Sequence, residues 1–132
     1  MTEETKKLLD HCVEYATELL TETGEAYPFG GFVDTIGNVH PMEMEINKKD
    51  VPHIWKVVET LSKFGNTEMD EDRMQAYAVT YEVEIALSQD EKTDAIAIDI
   101  KHHEEETPIY YLPFQKTADG DMMIGKLFAV NR

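Results

Sequence analysis

Residues 23–46 read Thr-Gly-Glu-Ala-Tyr-Pro-Phe-Gly-Gly-Phe-Val-Asp-Thr-Ile-Gly-Asn-Val-His-Pro-Met-Glu-Met-Glu-Ile. This stretch holds four of the seven glycines, two of the five prolines and three aromatic residues, so it combines tight turns with large apolar side chains. Gly24 and Gly30 are placed to set the backbone geometry, and Tyr27 and Phe29 to fill a core. We interpret the stretch as the junction between a helix and a sheet. It contains no known catalytic motif.

A helix is predicted immediately before this junction, over residues 2–23. Its apolar residues recur at three- and four-residue spacing, and Gly24 stands where a left-handed cap would end the helix. The opposite side carries an acidic stripe at four-residue steps, Asp10, Glu14, Glu18 and Glu22. Like charges at this spacing destabilise a helix by about 0.2–0.5 kcal/mol per pair. The stripe therefore permits, without requiring, a basic partner.

After Gly30 the spacing of the apolar residues changes from the three or four residues of a helix to the two residues of a strand. Residues 30–34 and 39–46 are predicted as a hairpin, with Asp34 starting the turn and Gly37 able to take a positive φ. Pro41 lacks an N–H group, which marks the second strand as an edge strand or a bulge. Further strands are predicted at residues 77–87, 94–101, 109–114 and 122–130.

A second helix is predicted between the hairpin and the later strands. Asp50 is placed to cap its N-terminus and Gly65 to lie just beyond its end, followed by a polar connector at residues 66–72. Trp55 is expected at the border of its buried face. The buried face itself is predicted to comprise Ile54, Val57, Val58, Leu61 and Phe64.

The predicted element order is α-β-β-α-β-β-β-β. This order indicates an α+β fold in which an antiparallel sheet of about five to six strands has two helices packed on one face. The chain of 132 residues has the length of one ordinary domain, so a single domain over residues 1–132 is predicted.

The segment Glu22-Thr23-Gly24-Glu25-Ala26-Tyr27-Pro28-Phe29-Gly30 resembles the ETGEFYPFG segment of a group of short, acidic bacterial proteins of unassigned function. The resemblance continues through the turn at residues 34–38, the strand from Asp94, the Tyr111-Leu112-Pro113-Phe114 segment and residues 125–129. It implies a shared fold and a bacterial origin. It implies no substrate and no catalytic residue.

The composition narrows the class of partner. Acidic residues number 27 against 12 basic residues, which gives a formal charge of −15. A field of this sign opposes binding to nucleic acid and to anionic lipid and allows basic partners, although solubility alone also explains an acidic composition. No apolar run approaches the roughly 20 residues of a membrane span. We therefore predict a cytoplasmic protein that binds neither nucleic acid nor membrane.

The candidate chemical groups are few. Cys12 is the only cysteine and is predicted to be a small buried side chain. His102 and His103 could chelate one ion only if a turn bends them together, with Glu104, Glu105 and Glu106 as oxygen ligands, but a solvated loop explains these residues equally well. Glu82 and Glu84 share one strand face, where paired carboxylates could serve acid–base chemistry, but any half-solvated sheet face shows the same spacing, and we favour that interpretation. No cofactor, metal site or catalytic residue is predicted.

The leading hypothesis is therefore a non-enzymatic protein-binding module, comparable to an immunity protein or a secretion chaperone. Its predicted interface comprises Glu14, Glu18, Glu22, Tyr27, Phe29 and His40, and charge reversal at Glu14 and Glu18 is expected to weaken capture of the partner. The main alternative is a small-ligand-binding domain with a pocket near Tyr27 to Gly31. Minor alternatives are an enzyme that uses His40 or His53, and self-association through an edge strand.

Overall fold

A computed structural model describes residues 1–26, 28–42 and 53–132. Two helices and seven strands follow one another along the chain. They are α1 (Glu3–Thr23), β1 (Phe29–Val33), β2 (Val39–Met42), α2 (Ile54–Asp70), β3 (Ala76–Ala86), β4 (Lys92–His102), β5 (Ile109–Lys116), β6 (Met122–Ile124) and β7 (Phe128–Val130). The α+β class and the antiparallel sheet are confirmed.

The first helix has the ends that its sequence predicts. The Thr2 hydroxyl caps its N-terminus by accepting a hydrogen bond from the Thr5 N–H group. At the other end Gly24 takes the left-handed conformation, with φ of 76°, and its N–H group donates to the Leu20 carbonyl oxygen. The prediction for this helix, including its glycine cap, is confirmed.

The sheet has the strand order β2-β1-β3-β4-β5-β6, and every pairing is antiparallel. Pro41 lies in β2 at one edge, as its missing N–H group requires. At the other edge β6 and β7 pair with successive parts of β5, so the strand predicted at residues 122–130 is divided in two. Between them the Gly125 N–H group still donates to the Pro113 carbonyl oxygen at 2.7 Å.

The helices lie on opposite faces of the sheet, in place of the one shared face that was predicted. Ala76 and Ala78 of β3 belong to the same core cluster as the apolar residues of α1. Tyr77 and Val79 point the other way and pack with Val57 of α2. The reason is the two-residue period of a strand, because β3 carries apolar residues on both faces and each face needs a cover.

The second helix is shifted toward the C-terminus relative to its prediction. It begins after His53, whose ring nitrogen Nδ1 accepts from the Trp55 N–H group at 3.3 Å, while Asp50 lies outside the described residues. It runs to Asp70, so the predicted connector is partly helical. Gly65 is a buried interior residue of this helix and not its end. Val57 and Leu61 are buried as predicted, whereas Ile54 and Phe64 are exposed.

Gly65 is required where α2 crosses Tyr77. A Cβ atom added at Gly65 would lie 2.5–2.8 Å from three ring carbons of Tyr77. Tyr77 cannot easily move, because it is 2% exposed and its hydroxyl donates to Asn66 Oδ1 at 2.5 Å. Gly65 therefore lets the helix approach the sheet closely, although glycine is a poor helix former.

We predict that Gly65→Ala lowers the free energy of unfolding by about 1–2 kcal/mol, because overpacking of about 1–3 kcal/mol outweighs the gain of about 1 kcal/mol in helix propensity. Urea unfolding followed by circular dichroism measures the change. In a Tyr77→Leu background the ring is absent, so the same substitution should raise stability. If Gly65→Ala alone leaves the free energy of unfolding unchanged or raises it, this account of the helix contact is wrong.

Candidate functional site

A large apolar surface lies on the α2 side of the sheet, beyond the N-terminus of α2, where Trp55 packs on Tyr81. The apolar alternation of β3 continues past Tyr81 and includes Leu87 just beyond the strand. The residues opposite are apolar on β4 and β5, except that Thr93 stands opposite Ile85. Within the described part of the chain, no helix packs over this half of the sheet. We name the surface the open face, comprising Tyr81, Val83, Ile85, Leu87, Ala95, Ala97, Tyr111, Pro113, Met123, Phe128 and Val130.

The open face gathers most of the exposed apolar bulk of the described residues. Nine large apolar side chains are exposed, and five of these lie on the open face or at its border with α2. The five are Trp55 (57%), Leu87 (55%), Met123 (61%), Phe128 (37%) and Val130 (47%). Single exposed apolar residues are ordinary, whereas a contiguous group of this kind marks a binding surface.

Aromatic pairs form the two sides of a shallow trough in the open face. Trp55 packs on Tyr81 with 5.6 Å between ring centroids, and Tyr111 packs on Phe128 at the same distance. Tyr81 and Tyr111 both stand opposite Ala97, whose small side chain forms the floor. Burial raises the pKa of Tyr81, and the nearby Asp99 carboxylate raises it further, so the phenol stays neutral.

Three charged side chains in this half of the sheet point to the other face, whereas Asp99 lies at the margin of the open face and pairs with Arg132. Glu82, Glu84 and Asp94 alternate with the open-face residues and lie on the α1 side. Glu82 accepts a hydrogen bond from the Ala26 N–H group at 2.6 Å, and Glu84 pairs with Lys92 at 3.7 Å. These contacts give the two glutamates structural roles, in agreement with the interpretation of a solvated sheet face.

The residues predicted as an interface do not form one surface. Glu14, Glu18 and Glu22 are exposed on the outer side of α1, on the opposite side of the sheet from the open face. Phe29 is 5% exposed and packs edge-on against Tyr15, so its side chain offers no contact area to a partner. Tyr27 lies outside the described residues.

His40 is exposed and lies in β2, next to the turn of the first hairpin. Its Nε2 atom lies 2.7 Å from Asp34 Oδ2, and its ring stacks on Phe32. This bond, with those from the Asn38 and Ile36 N–H groups, lowers the pKa of Asp34. His40 holds the turn through these contacts. It lies on a different face of the sheet from the acidic stripe.

The predicted ligand pocket falls where the backbone is closely packed. A Cβ atom at Gly30 would lie 2.7 Å from the Ala78 carbonyl oxygen and from Met42 Cε. One at Gly31 would lie 3.1 Å from a methyl carbon of Leu8. The space beside Gly30 and Gly31 is thus occupied by atoms of the neighbouring strands and of α1. This supports a packing role for both glycines.

The turn after β4 brings His102 and His103 together, with 4.8 Å between ring centroids. His102 Nδ1 accepts from the Glu104 N–H group, so a neutral ring carries its proton on Nε2. That Nε2 atom is buried without a hydrogen-bond partner, and Glu4 Oε2 lies 4.0 Å away. Among the described residues, no three histidine, cysteine or acidic side chains are grouped to hold a metal ion.

Cys12 is fully buried in the α1 core cluster, in agreement with its predicted role as a small apolar side chain. Burial raises the pKa of its thiol to about 12, so the thiolate is scarcely populated at neutral pH. The described part of the chain therefore presents no activated cysteine nucleophile.

Comparisons with known protein families, with curated proteins and with solved structures find no match for this chain. The resemblance of residues 22–30 to a group of acidic bacterial proteins therefore stays a prediction. Neither described helix combines the length and apolarity needed to cross a bilayer. A cytoplasmic location also stays a prediction.

Glu105 joins the turn after β4 to the start of α1. Its Oε1 atom accepts from the Thr5 hydroxyl at 2.7 Å and from the Thr2 hydroxyl and N–H group at 3.1 and 3.2 Å. The Thr5 bond is the largest cause of the lowered pKa of Glu105. A lowered folded-state pKa stabilises the protein above the unfolded pKa, and this stabilisation is lost as the pH falls through the folded pKa.

We predict that Glu105→Gln reduces stability at neutral pH and that the difference from the native protein narrows as the pH falls below about 4.5. Urea unfolding at a series of pH values measures the difference. The matched control is Glu106→Gln, at an exposed neighbouring position. A difference that stays constant over the acid range would show that the charge of Glu105 does not contribute.

Proposed function

We propose that this chain is a non-enzymatic protein-binding module that contacts its partner through the open face. The observation that carries the proposal is a partly exposed apolar half-sheet, with the Asp99–Arg132 ion pair at its margin, in a chain with a formal charge of −15. Exposed aromatic and aliphatic groups at the centre of a surface, with charges kept at its margin, are typical of protein interfaces. Immunity proteins and secretion chaperones are the classes of binding protein to test first.

The open face is a better source of affinity than the acidic stripe on α1. Each aromatic side chain that becomes buried removes about 150–250 Å² from water, and apolar burial contributes about 25 cal/mol per Å². An exposed ion pair contributes about 0–1 kcal/mol. Because the stripe lies across the sheet from the open face, one compact partner surface cannot cover both.

The acidic charge has a different role in this proposal. A net charge of −15 attracts basic proteins over a distance and repels acidic ones, which changes the association rate more than the lifetime of the complex. We therefore expect a partner with an apolar centre and a basic margin. The acidic stripe then raises the rate of association and is not itself the contact surface. It comprises Glu14, Glu18 and Glu22.

A photo-crosslinking amino acid placed at position 128 tests the contact surface. In the natural host, we expect the benzoylphenylalanine variant at Phe128 to form one defined adduct on irradiation. The control is the same amino acid at Ile36, which is 81% exposed in the turn of the first hairpin, away from the open face. An adduct at position 36 alone, or none at position 128, would contradict the proposal.

With the partner from that adduct purified, substitutions separate affinity from steering. We expect Trp55→Ala to weaken binding by about 30-fold or more, through faster dissociation. Charge reversal at Glu14 and Glu18 should slow association by a few-fold, an effect that disappears in about 1 M salt. Biolayer interferometry measures both rates. If charge reversal accelerates dissociation while Trp55→Ala has no effect, the contact lies on α1.

A further inference from the structure

The open face ends in a small apolar cavity at the end of the sheet, beside the β3–β4 and β5–β6 turns. This tip pocket has a volume of about 190 Å³ and is lined by Leu87, Thr93, Pro113, Gln115, Met123 and Gly125 among others. Pockets for drug-sized ligands are about 300–1,000 Å³. The tip pocket is therefore too small for such a ligand, and its volume suits a single apolar side chain.

Two acidic turns stand beside the tip pocket, because the β3–β4 and β5–β6 connections lie at the same end of the sheet. The first is closed by the Leu87 N–H group donating to the Glu91 carbonyl oxygen at 2.8 Å. The second is closed in the same way between Thr117 and Asp121, also at 2.8 Å. Both backbones are therefore held in place around the pocket.

The carboxylates of these turns are exposed, and the exposed Lys126 follows Gly125 of the pocket lining. They belong to Asp90, Glu91, Asp119 and Asp121. None of them takes part in an ion pair within the described part of the chain. The neighbouring Lys92 lies on the α1 face of the sheet and pairs with Glu84. The pocket thus combines an apolar interior with a margin of negative charge.

From this juxtaposition we infer that the tip pocket takes a basic peptide segment of the partner, with one apolar side chain such as leucine inserted between lysine or arginine residues. This inference rests on the proposed function, because it names the part of the partner that meets one end of the open face. The apolar anchor supplies the burial, and the flanking cations meet the four turn carboxylates. An acidic segment with the same anchor would be repelled.

Titration of the full-length, isotopically labelled chain with synthetic pentapeptides tests the inference by NMR. The probe is Lys-Arg-Leu-Arg-Lys, and the matched peptides are Lys-Arg-Ser-Arg-Lys and Glu-Asp-Leu-Asp-Glu. We expect the probe to shift the amide signals of Leu87, Met123 and Gly125, with saturation in roughly the high micromolar to millimolar range. Each matched peptide should bind at least about 10-fold more weakly.

Two variants assign the effect to the pocket and to its charges. Met123→Arg places a long cation in the pocket and should abolish the shifts, while Ile36→Arg adds the same charge elsewhere and should reduce binding by no more than about two-fold. The double variant Asp119→Asn and Asp121→Asn should weaken binding about three- to ten-fold. Equal binding of the serine peptide, or shifts that survive Met123→Arg, would overturn the inference.

The photo-crosslink separates this inference from the proposed function. If Met123→Arg leaves both the adduct at position 128 and the affinity of the purified partner unchanged, the open face binds a protein without using the tip pocket, and only the inference fails. If no adduct forms at position 128, the proposed function is wrong, and the inference that rests on it is wrong as well. Sedimentation velocity tests whether a second copy of the chain fills the pocket instead. A concentration-dependent dimer that is lost in Met123→Arg would show this and would overturn the inference.

Discussion

The strand β3 carries apolar side chains on both of its faces, and this requirement organises the rest of the molecule. All eleven of its residues pair with β4, and the first five also pair with β1. Alternate residues then point to opposite faces, and each face has to be removed from water by a different helix. The contact of Gly65 with the Tyr77 ring shows how closely the second helix is held to this strand.

The two helices cover β3 incompletely, and the chain treats the two uncovered ends differently. On the α1 side the pattern changes from Ala76 and Ala78 to Glu82 and Glu84, so solvent meets charge. On the α2 side the pattern remains apolar as far as Leu87. These apolar residues stay only partly buried, because no described helix covers them. A partner that covers the open face gives the asymmetry a physical reason.

The candidate chemical groups illustrate how a common structural role can resemble a functional one. His53 caps α2, His40 holds the hairpin turn with Asp34, and Glu82 accepts a hydrogen bond from the backbone of Ala26. Each of these side chains satisfies a nearby donor or acceptor that would otherwise be unpaired. His102 is different, because its Nε2 atom is buried without a hydrogen-bond partner in the described structure.

The sequence by itself determined α1 with its caps, the first hairpin and its edge proline, the long strands and the α+β class. These depend on local rules: helical spacing, left-handed glycine at Gly24 and Gly37, and the missing N–H group of Pro41. Only the tertiary structure decided that the helices lie on opposite faces, that Gly65 is a contact and not a terminus, and that no described helix covers the apolar row ending at Leu87. An apolar residue has the same sequence pattern whether a helix covers it or water does, because burial depends on segments distant in the chain.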